Sequence, residues 1–155
     1  CIAIPCNTSH YFYDQILSFT SVPVIHMPRE AVREATQARH ARRIGIMGTD
    51  GTVRSGIYAR ECAALGAECL TPSPERQADV MSIIYESVKA GRPADMERFA
   101  RVVDELVRRG CDAVILACTE LSVVRRRQGA PEVCLDAMDV LVREAIVRCG
   151  KRYRA

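Results

Sequence analysis

Two of the eight cysteines stand where a side chain can do chemistry. Cys6 ends the short apolar run Cys1-Ile2-Ala3-Ile4-Pro5 and opens the polar cluster Cys6-Asn7-Thr8-Ser9-His10. Cys118 ends the run from Asp112 to Ala117 and opens Thr119-Glu120-Leu121. An apolar run closed by a polar cluster is how a parallel strand presents groups at its carboxyl end, where open α/β sheets place their ligands. A free thiol has a pKa of about 8.5 that falls at helix N-termini or beside cations, so one thiolate and one thiol can serve as base and acid near neutral pH. At each corner the helix start is expected to favour thiolate. Asn7, Thr8 and Thr119 can then donate hydrogen bonds to a carboxylate on which charge builds. The alternative for these three residues is local capping.

The corners need a sheet beneath them, and the rest of the chain supplies one. Residues 1–5 read as a short buried strand. A helix of about ten residues follows Cys6 through Leu17, with Tyr11, Ile16 and Phe19 as candidates for its buried face. A second strand lies at Val22–Ile25, a polar helix at about Arg29–Arg39 and a third strand at Arg43–Met47. The turn Gly48-Thr49-Asp50-Gly51-Thr52 opens a helix from about Val53 to Leu65 that Gly66 stops. Free N–H groups there can dock an anion beside Thr49, or Thr49 or Asp50 is an N-cap and nothing more. A strand at 67–70 is followed by helices at about Glu75–Lys89 and Asp95–Arg109, the latter with Phe99, Val102, Val103, Leu106 and Val107 on one face. The strand leading to Cys118, a strand at Glu132–Leu135 and a helix from Asp136 to about Cys149 complete the chain. Alternation of strands and helices means a mostly parallel, three-layer α/β architecture.

Composition narrows the function. At 155 residues, length alone suggests one domain with a real core. No apolar run approaches the roughly 18 residues of a membrane span, so a cytoplasmic protein without membrane contact is expected. Net charge is +3, and the 20 arginines are spread over several helices against 19 acidic residues, which favours solvated helix faces over a nucleic-acid stripe. Arg125-Arg126-Arg127 reads as a helix end whose cations complement the dipole. There is no Cys-x-x-Cys pair, and His10, His26 and His40 form no ligand set, so neither zinc nor a disulfide framework is expected. Cys62, Cys69, Cys111, Cys134 and Cys149 lie in apolar patterns as small core residues.

The segment Pro5-Cys6-Asn7-Thr8-Ser9-His10, together with Ala117-Cys118-Thr119-Glu120-Leu121, resembles the paired signature of the aspartate/glutamate racemase family, closest to its aspartate racemase branch. The two corners lie 112 positions apart with a Gly-Thr-x-x-Thr turn between them, and Ile83-Ile84-Tyr85 leads to Lys89-Ala90-Gly91. The resemblance covers essentially the whole chain. It implies two similar parallel-sheet α/β lobes with the active site in the cleft between them: residues 1–29 and 133–155 in the first, 30–132 in the second. Members of the family are longer, so it also implies an amino-terminal portion ahead of Cys1 and an incomplete first lobe here.

The resemblance further implies racemisation of L- and D-aspartate, or glutamate, without any cofactor, in a cytoplasmic homodimer. Inverting an α-carbon requires a proton to leave one face and another to return on the opposite face. Cys6 and Cys118 are the implied acid/base pair, exchanging roles with substrate handedness. Thr49 is implied to contact a carboxylate, and Lys89 to hold the distal carboxylate with an arginine from the missing segment. His10 and Glu120 would orient a thiol or buried backbone. Hydantoin racemases and maleate isomerases share the paired cysteines and remain alternatives. So do a non-catalytic amino-acid-binding protein on the same scaffold and a thiol redox protein.

Overall fold

The apolar stretches at Arg43–Met47 and Ala113–Leu116 become β3 and β5, the two central strands of a four-stranded parallel sheet. In the computed structural model, which describes residues 1–154, the sheet order is β4-β3-β5-β6, where β4 is Glu68–Leu70 and β6 is Cys134–Asp136. A smaller parallel pair joins β1, Ile2–Ala3, to β2, Val24–Ile25. The helices are α1 (Tyr13–Ser18), α2 (Met27–Arg33), α3 (Asp50–Arg54), α4 (Ile57–Ala64), α5 (Pro74–Ser82), α6 (Met96–Arg108), α7 (Thr119–Gln128) and α8 (Ala137–Arg148). Strand and helix alternate because parallel neighbours need a crossover between them. The expected α/β class and three layers are therefore what the chain adopts.

The strand period of two sorts the core. Ile44, Ile46, Ala113 and Ile115 face one layer, built by Met27, Ala31 and Val32 of α2, Ile57 and Cys62 of α4, and Val140 and Leu141 of α8. Met47, Val114 and Leu116 face the other, built by Val80 of α5, Phe99, Val102, Val103 and Leu106 of α6, and Leu121 and Val124 of α7. Gly45 lets α6 approach closely: a Cβ there would meet Leu106 Cδ1 at 2.9 Å and Cys111 Sγ at 3.3 Å.

Several expectations fail, for physical reasons. The first strand is not buried: Cys1, Ala3 and Pro5 are exposed, because β1 hydrogen-bonds on one side only, to β2, and α8 is the helix packed on the pair. Residues Thr8–Phe12 form a 3-10 helix rather than the first turns of an α-helix. With three residues per turn, His10 and Tyr13 share the inner side. His10 is buried and the Tyr13 hydroxyl donates to the Val24 carbonyl, whereas Tyr11 and Phe19 are 57% and 88% exposed. The polar helix at 29–39 is α2 plus a π-helical turn, Glu34–Ala38, with a buried apolar face. Its charged residues tie it to α8, through Glu30 to Arg148 at 2.6 Å and Glu34 to Arg143 at 3.1 Å. Gly56, at φ +65°, splits the helix expected over 53–65 into α3 and α4. The strand at 134–136 hydrogen-bonds to β5 in the larger sheet. Cys149 is exposed and Cys69 only half-buried, so the small-core-residue reading holds fully for Cys62, Cys111 and Cys134.

On α6, Val107 is 44% exposed while Leu106 is fully buried. Leu106→Ala should cost about 3 kcal/mol, as transfer and cavity terms add, and Val107→Ala less than about 1 kcal/mol. Urea unfolding of the two variants checks this, and equal losses would contradict the packing described.

Candidate active site

All the corners open on one end of the sheets. β1 leads to Cys6, β3 to Gly48 and Thr49, and β5 to Cys118, at the strands' carboxyl ends, the position at which open α/β folds bind ligands. The register of β3 on β5 puts Met47 beside Leu116, and the Ala117 amide donates to the Met47 carbonyl at 2.7 Å. Gly48 eases this approach, since a Cβ there would make a tight contact, 3.2 Å from the Ala117 carbonyl oxygen.

A cavity of about 480 Å³ lies over these corners, lined by Cys6, Asn7, Thr8, Thr49, Lys89, Cys118, Thr119 and Glu120. Eight of the nine residues singled out from sequence thus share one space. The ninth, His10, sits beneath it. Its Nε2 accepts from the Met27 amide at 3.1 Å, and Nδ1, carrying the proton in that tautomer, donates to the Cys6 carbonyl at 2.8 Å. His10 therefore ties the Cys6 backbone to the start of α2.

Asn7 is buried, and its Oδ1 accepts from the Tyr58 hydroxyl at 2.5 Å. Burial holds Tyr58 well above the ordinary tyrosine pKa, so it remains a donor. That bond orients the amide and leaves Asn7 Nδ2 with no protein partner among the described residues. A buried amide N–H₂ without a partner is costly, and on a cavity wall it is an open donor for a ligand oxygen. The hydroxyls of Thr8 and Thr49 both meet that of Thr52, at 2.8 and 3.2 Å. Thr49 caps α3, with its Oγ1 accepting from the Thr52 amide at 3.3 Å, so the capping reading of this turn is realised on a residue that also faces the cavity.

Cys118 is the N-cap residue of α7. The expectation that a helix start favours thiolate fails at this position. Burial first, then the hydrogen bond from Sγ to Glu120 Oε2 at 2.9 Å and the charge of that carboxylate, push the thiol up to about 12. Burial would raise Glu120 too, but hydrogen bonds from Cys118 and Thr119 and the nearby Lys89 outweigh it and hold its carboxyl below the usual range. Cys118 is therefore a protonated thiol facing a carboxylate. Cys6 is exposed and precedes a five-residue 3-10 helix, with Asn7 between them, so no α-helix start stands behind it.

Lys89 Nζ stands 3.8 Å from Glu120 Oε1 and 4.4 Å from the centre of the Tyr85 ring. A π-helical turn, Ile83–Val88, sets this up, with the Lys89 amide bonded to the Ile84 carbonyl. The wider turn keeps Ile83 and Ile84 in the core while Tyr85 and Lys89 reach the cavity, an arrangement found often at functional sites. Sequence reasoning missed Tyr58 and the place of Asp50, Arg54, Met81 and Tyr85 in the cavity lining. Tyr85 was signalled by its place one helical turn before Lys89, and Thr52 by the turn motif. Tyr58, inside an ordinary helix pattern, carried no signal. Among the described residues no group of three His, Cys, Asp or Glu side chains is placed to hold a metal ion, and no helix is long and apolar enough to cross a membrane.

The chain is 29% identical over 123 residues to the broad specificity amino-acid racemase RacX of Bacillus subtilis, covering 79% of this chain and 53% of that protein. It is 29% identical over 149 residues to a glutamate racemase of Desulforudis audaxviator, covering 93% and 54%. The chain thus spans about half the length of these two curated relatives. Its fold matches that of an aspartate racemase from Picrophilus torridus with a TM-score of 0.77 at 25% identity, over 97% of this chain and 62% of that one. Residues 1–145 match the Asp/Glu/Hydantoin racemase family model, and the chain belongs to that family.

Proposed function

We propose that the protein is an amino-acid racemase that inverts the α-carbon of a dicarboxylic amino acid, aspartate foremost, by two-base proton transfer between Cys6 and Cys118. The observation that carries this reading is the convergence of both thiols on one cavity with an open amide donor, three hydroxyls and a lysine. In one direction the Cys6 thiolate takes the α-proton and the C–H electron pair moves into the α-carboxylate. Asn7 Nδ2 and the Thr8 hydroxyl stabilise the resulting enediolate, each such preorganised donor being worth roughly 3 kcal/mol at the transition state, and the Thr119 hydroxyl joins them by turning from Glu120 Oε2. The Cys118 S–H then protonates the carbon from the opposite face, leaving Cys6 as thiol and Cys118 as thiolate. In the other direction the roles reverse, and Cys118 must first be a thiolate. Thr49 contacts a carboxylate in this reading, and Lys89 neutralises the distal carboxylate, whose burial unpaired is costly.

Cys6→Ala and Cys118→Ala should each abolish racemisation, since inversion needs both faces. Residual α-hydrogen exchange in heavy water, followed by NMR, should be confined to one enantiomer and should switch enantiomer between the two variants. Cys62→Ala and Cys111→Ala should leave the chemistry intact. Racemisation near the wild-type rate by either corner variant would remove the two-base mechanism.

The Cys118–Glu120 contact gives a separate expectation. Thiolate is the species that alkylates, and a thiol held at about 12 is almost wholly protonated at pH 8. Because the carboxylate raises this pKa, Glu120→Gln should lower it, and iodoacetamide labelling of Cys118 at pH 8 should speed up by about tenfold or more, a shift of one unit or more. Peptide mass spectrometry reads the rate, and slower or unchanged labelling would show that Glu120 does not set the state of this thiol.

A further inference from the structure

At the carboxyl end of β6 lies a further cavity of about 460 Å³, walled by α7 and the start of α8. Thr119 lines both this cavity and the one that holds the two cysteines. The rest of the wall carries both signs of charge, with Arg125 and Arg126 on α7 and Asp136 and Asp139 opposite, and an apolar part made by Val123 and Met138.

Asp136 is the last residue of β6 and only 3% exposed. Its hydrogen bonds fall on one oxygen: Oδ1 accepts from Ser122 Oγ at 2.7 Å and from the Met138 amide at 2.9 Å, the second bond capping α8. Among the described residues Oδ2 takes none, on a side chain that lines the cavity. Burial, foremost, raises this carboxyl above its ordinary range, against the two hydrogen bonds. A buried carboxylate oxygen without a partner is costly, so an ammonium reaching it from the cavity gains more than it would in water.

The two arginines are not equivalent. Arg125 Nη1 donates to the Cys134 carbonyl at 2.6 Å, and its Nε stands 3.9 Å from Asp139 Oδ2, so this side chain is committed to the fold. Arg126 is exposed, and among the described residues its guanidinium has no partner. It follows Ser122 by one helical turn on the same face of α7, about 6 Å along the axis from the residue that holds Asp136. A group that receives an ammonium and a group that receives an anion are therefore one turn apart.

We propose that this cavity is a second amino-acid site, which takes a neutral amino acid with an aliphatic side chain. Asp136 Oδ2 receives the α-ammonium, Arg126 grips the α-carboxylate by two parallel N–H bonds, and Val123 and Met138 cover the side chain. Asp139 on the same wall opposes a second carboxylate, so the ligand class differs from that of the cavity with the cysteines.

Calorimetric titration with L-leucine tests this on the wild type, Arg126→Ala, Asp136→Asn and, as a control for the neighbouring cavity, Asn7→Ala. The wild type should bind leucine by about tenfold or more over isocaproate, which lacks the ammonium, and over isoamylamine, which lacks the carboxylate. Arg126→Ala should weaken leucine binding by a similar factor. Asp136→Asn should do the same while keeping the cap on α8, since asparagine also accepts from a backbone amide. Asn7→Ala should leave leucine affinity unchanged. A wild type that binds no leucine overturns the proposal, and so does unchanged affinity in Arg126→Ala. A fall in Asn7→Ala alone would place leucine among the cysteines instead. Arg126 is exposed, so its variant decides the matter even if Asp136→Asn does not fold.

Discussion

The register of β3 on β5 is the constraint on which the site depends. Met47 pairs with Leu116, and both strands are buried on each face, so a one-residue slip of either strand would turn Ile44 or Ile115 into the opposite helix layer as well as displace the corners. With that register fixed, Gly48-Thr49 and Ala117-Cys118 emerge side by side, and the missing Cβ of Gly48 eases the approach. The third corner, from β1, belongs to the smaller sheet. It is joined to the others by side chains: the Thr8, Thr52 and Thr49 hydroxyls, the Tyr58 bond to Asn7, and His10 under Cys6. A strong backbone ladder thus places two corners, and a few polar contacts place the third.

Those contacts explain why the polar residues around the cysteines differ in role. Glu120 collects hydrogen bonds from Cys118 and Thr119 on one oxygen and faces Lys89 with the other. Desolvation beats the helix terminus at Cys118, because the terminus contributes at most about 2 kcal/mol while burial and an adjacent carboxylate act together. The two thiols are therefore unequal before any ligand arrives. One is half-buried against a carboxylate and protonated, and the other is exposed.

Much of the fold was legible in the sequence where apolar runs are long. β3, β5 and α6 follow from the patterns of Ile44–Met47, Ala113–Leu116 and Phe99–Leu106. Eight of the nine residues singled out stand in the turns that follow strand ends, whereas Lys89, which follows a π-helical turn, was singled out only by the family resemblance. What was not legible follows from departures in helical period. The 3-10 helix after Asn7 turned Tyr11 outward, and the π-helical turns at Glu34–Ala38 and Ile83–Val88 shifted faces that a 3.6-residue pattern assigns otherwise. Tyr58 and Arg54 lie far from either cysteine motif in sequence and reach the site through tertiary packing alone. The break at Gly56 needs a left-handed residue, and glycine in a helical pattern does not by itself reveal one.

The central claim is that two groups on opposite faces carry the proton, and the fate of the hydrogen in the unmodified protein tests it most directly. With one enantiomer of aspartate in heavy water, sampled by NMR and chiral chromatography at early conversion, the account predicts deuterium at the α-carbon of the newly formed enantiomer and protium retained in the unreacted substrate. Equal deuterium in both enantiomers from the first samples, or transfer of the substrate's own hydrogen to the product, would show a single shared base and contradict the account.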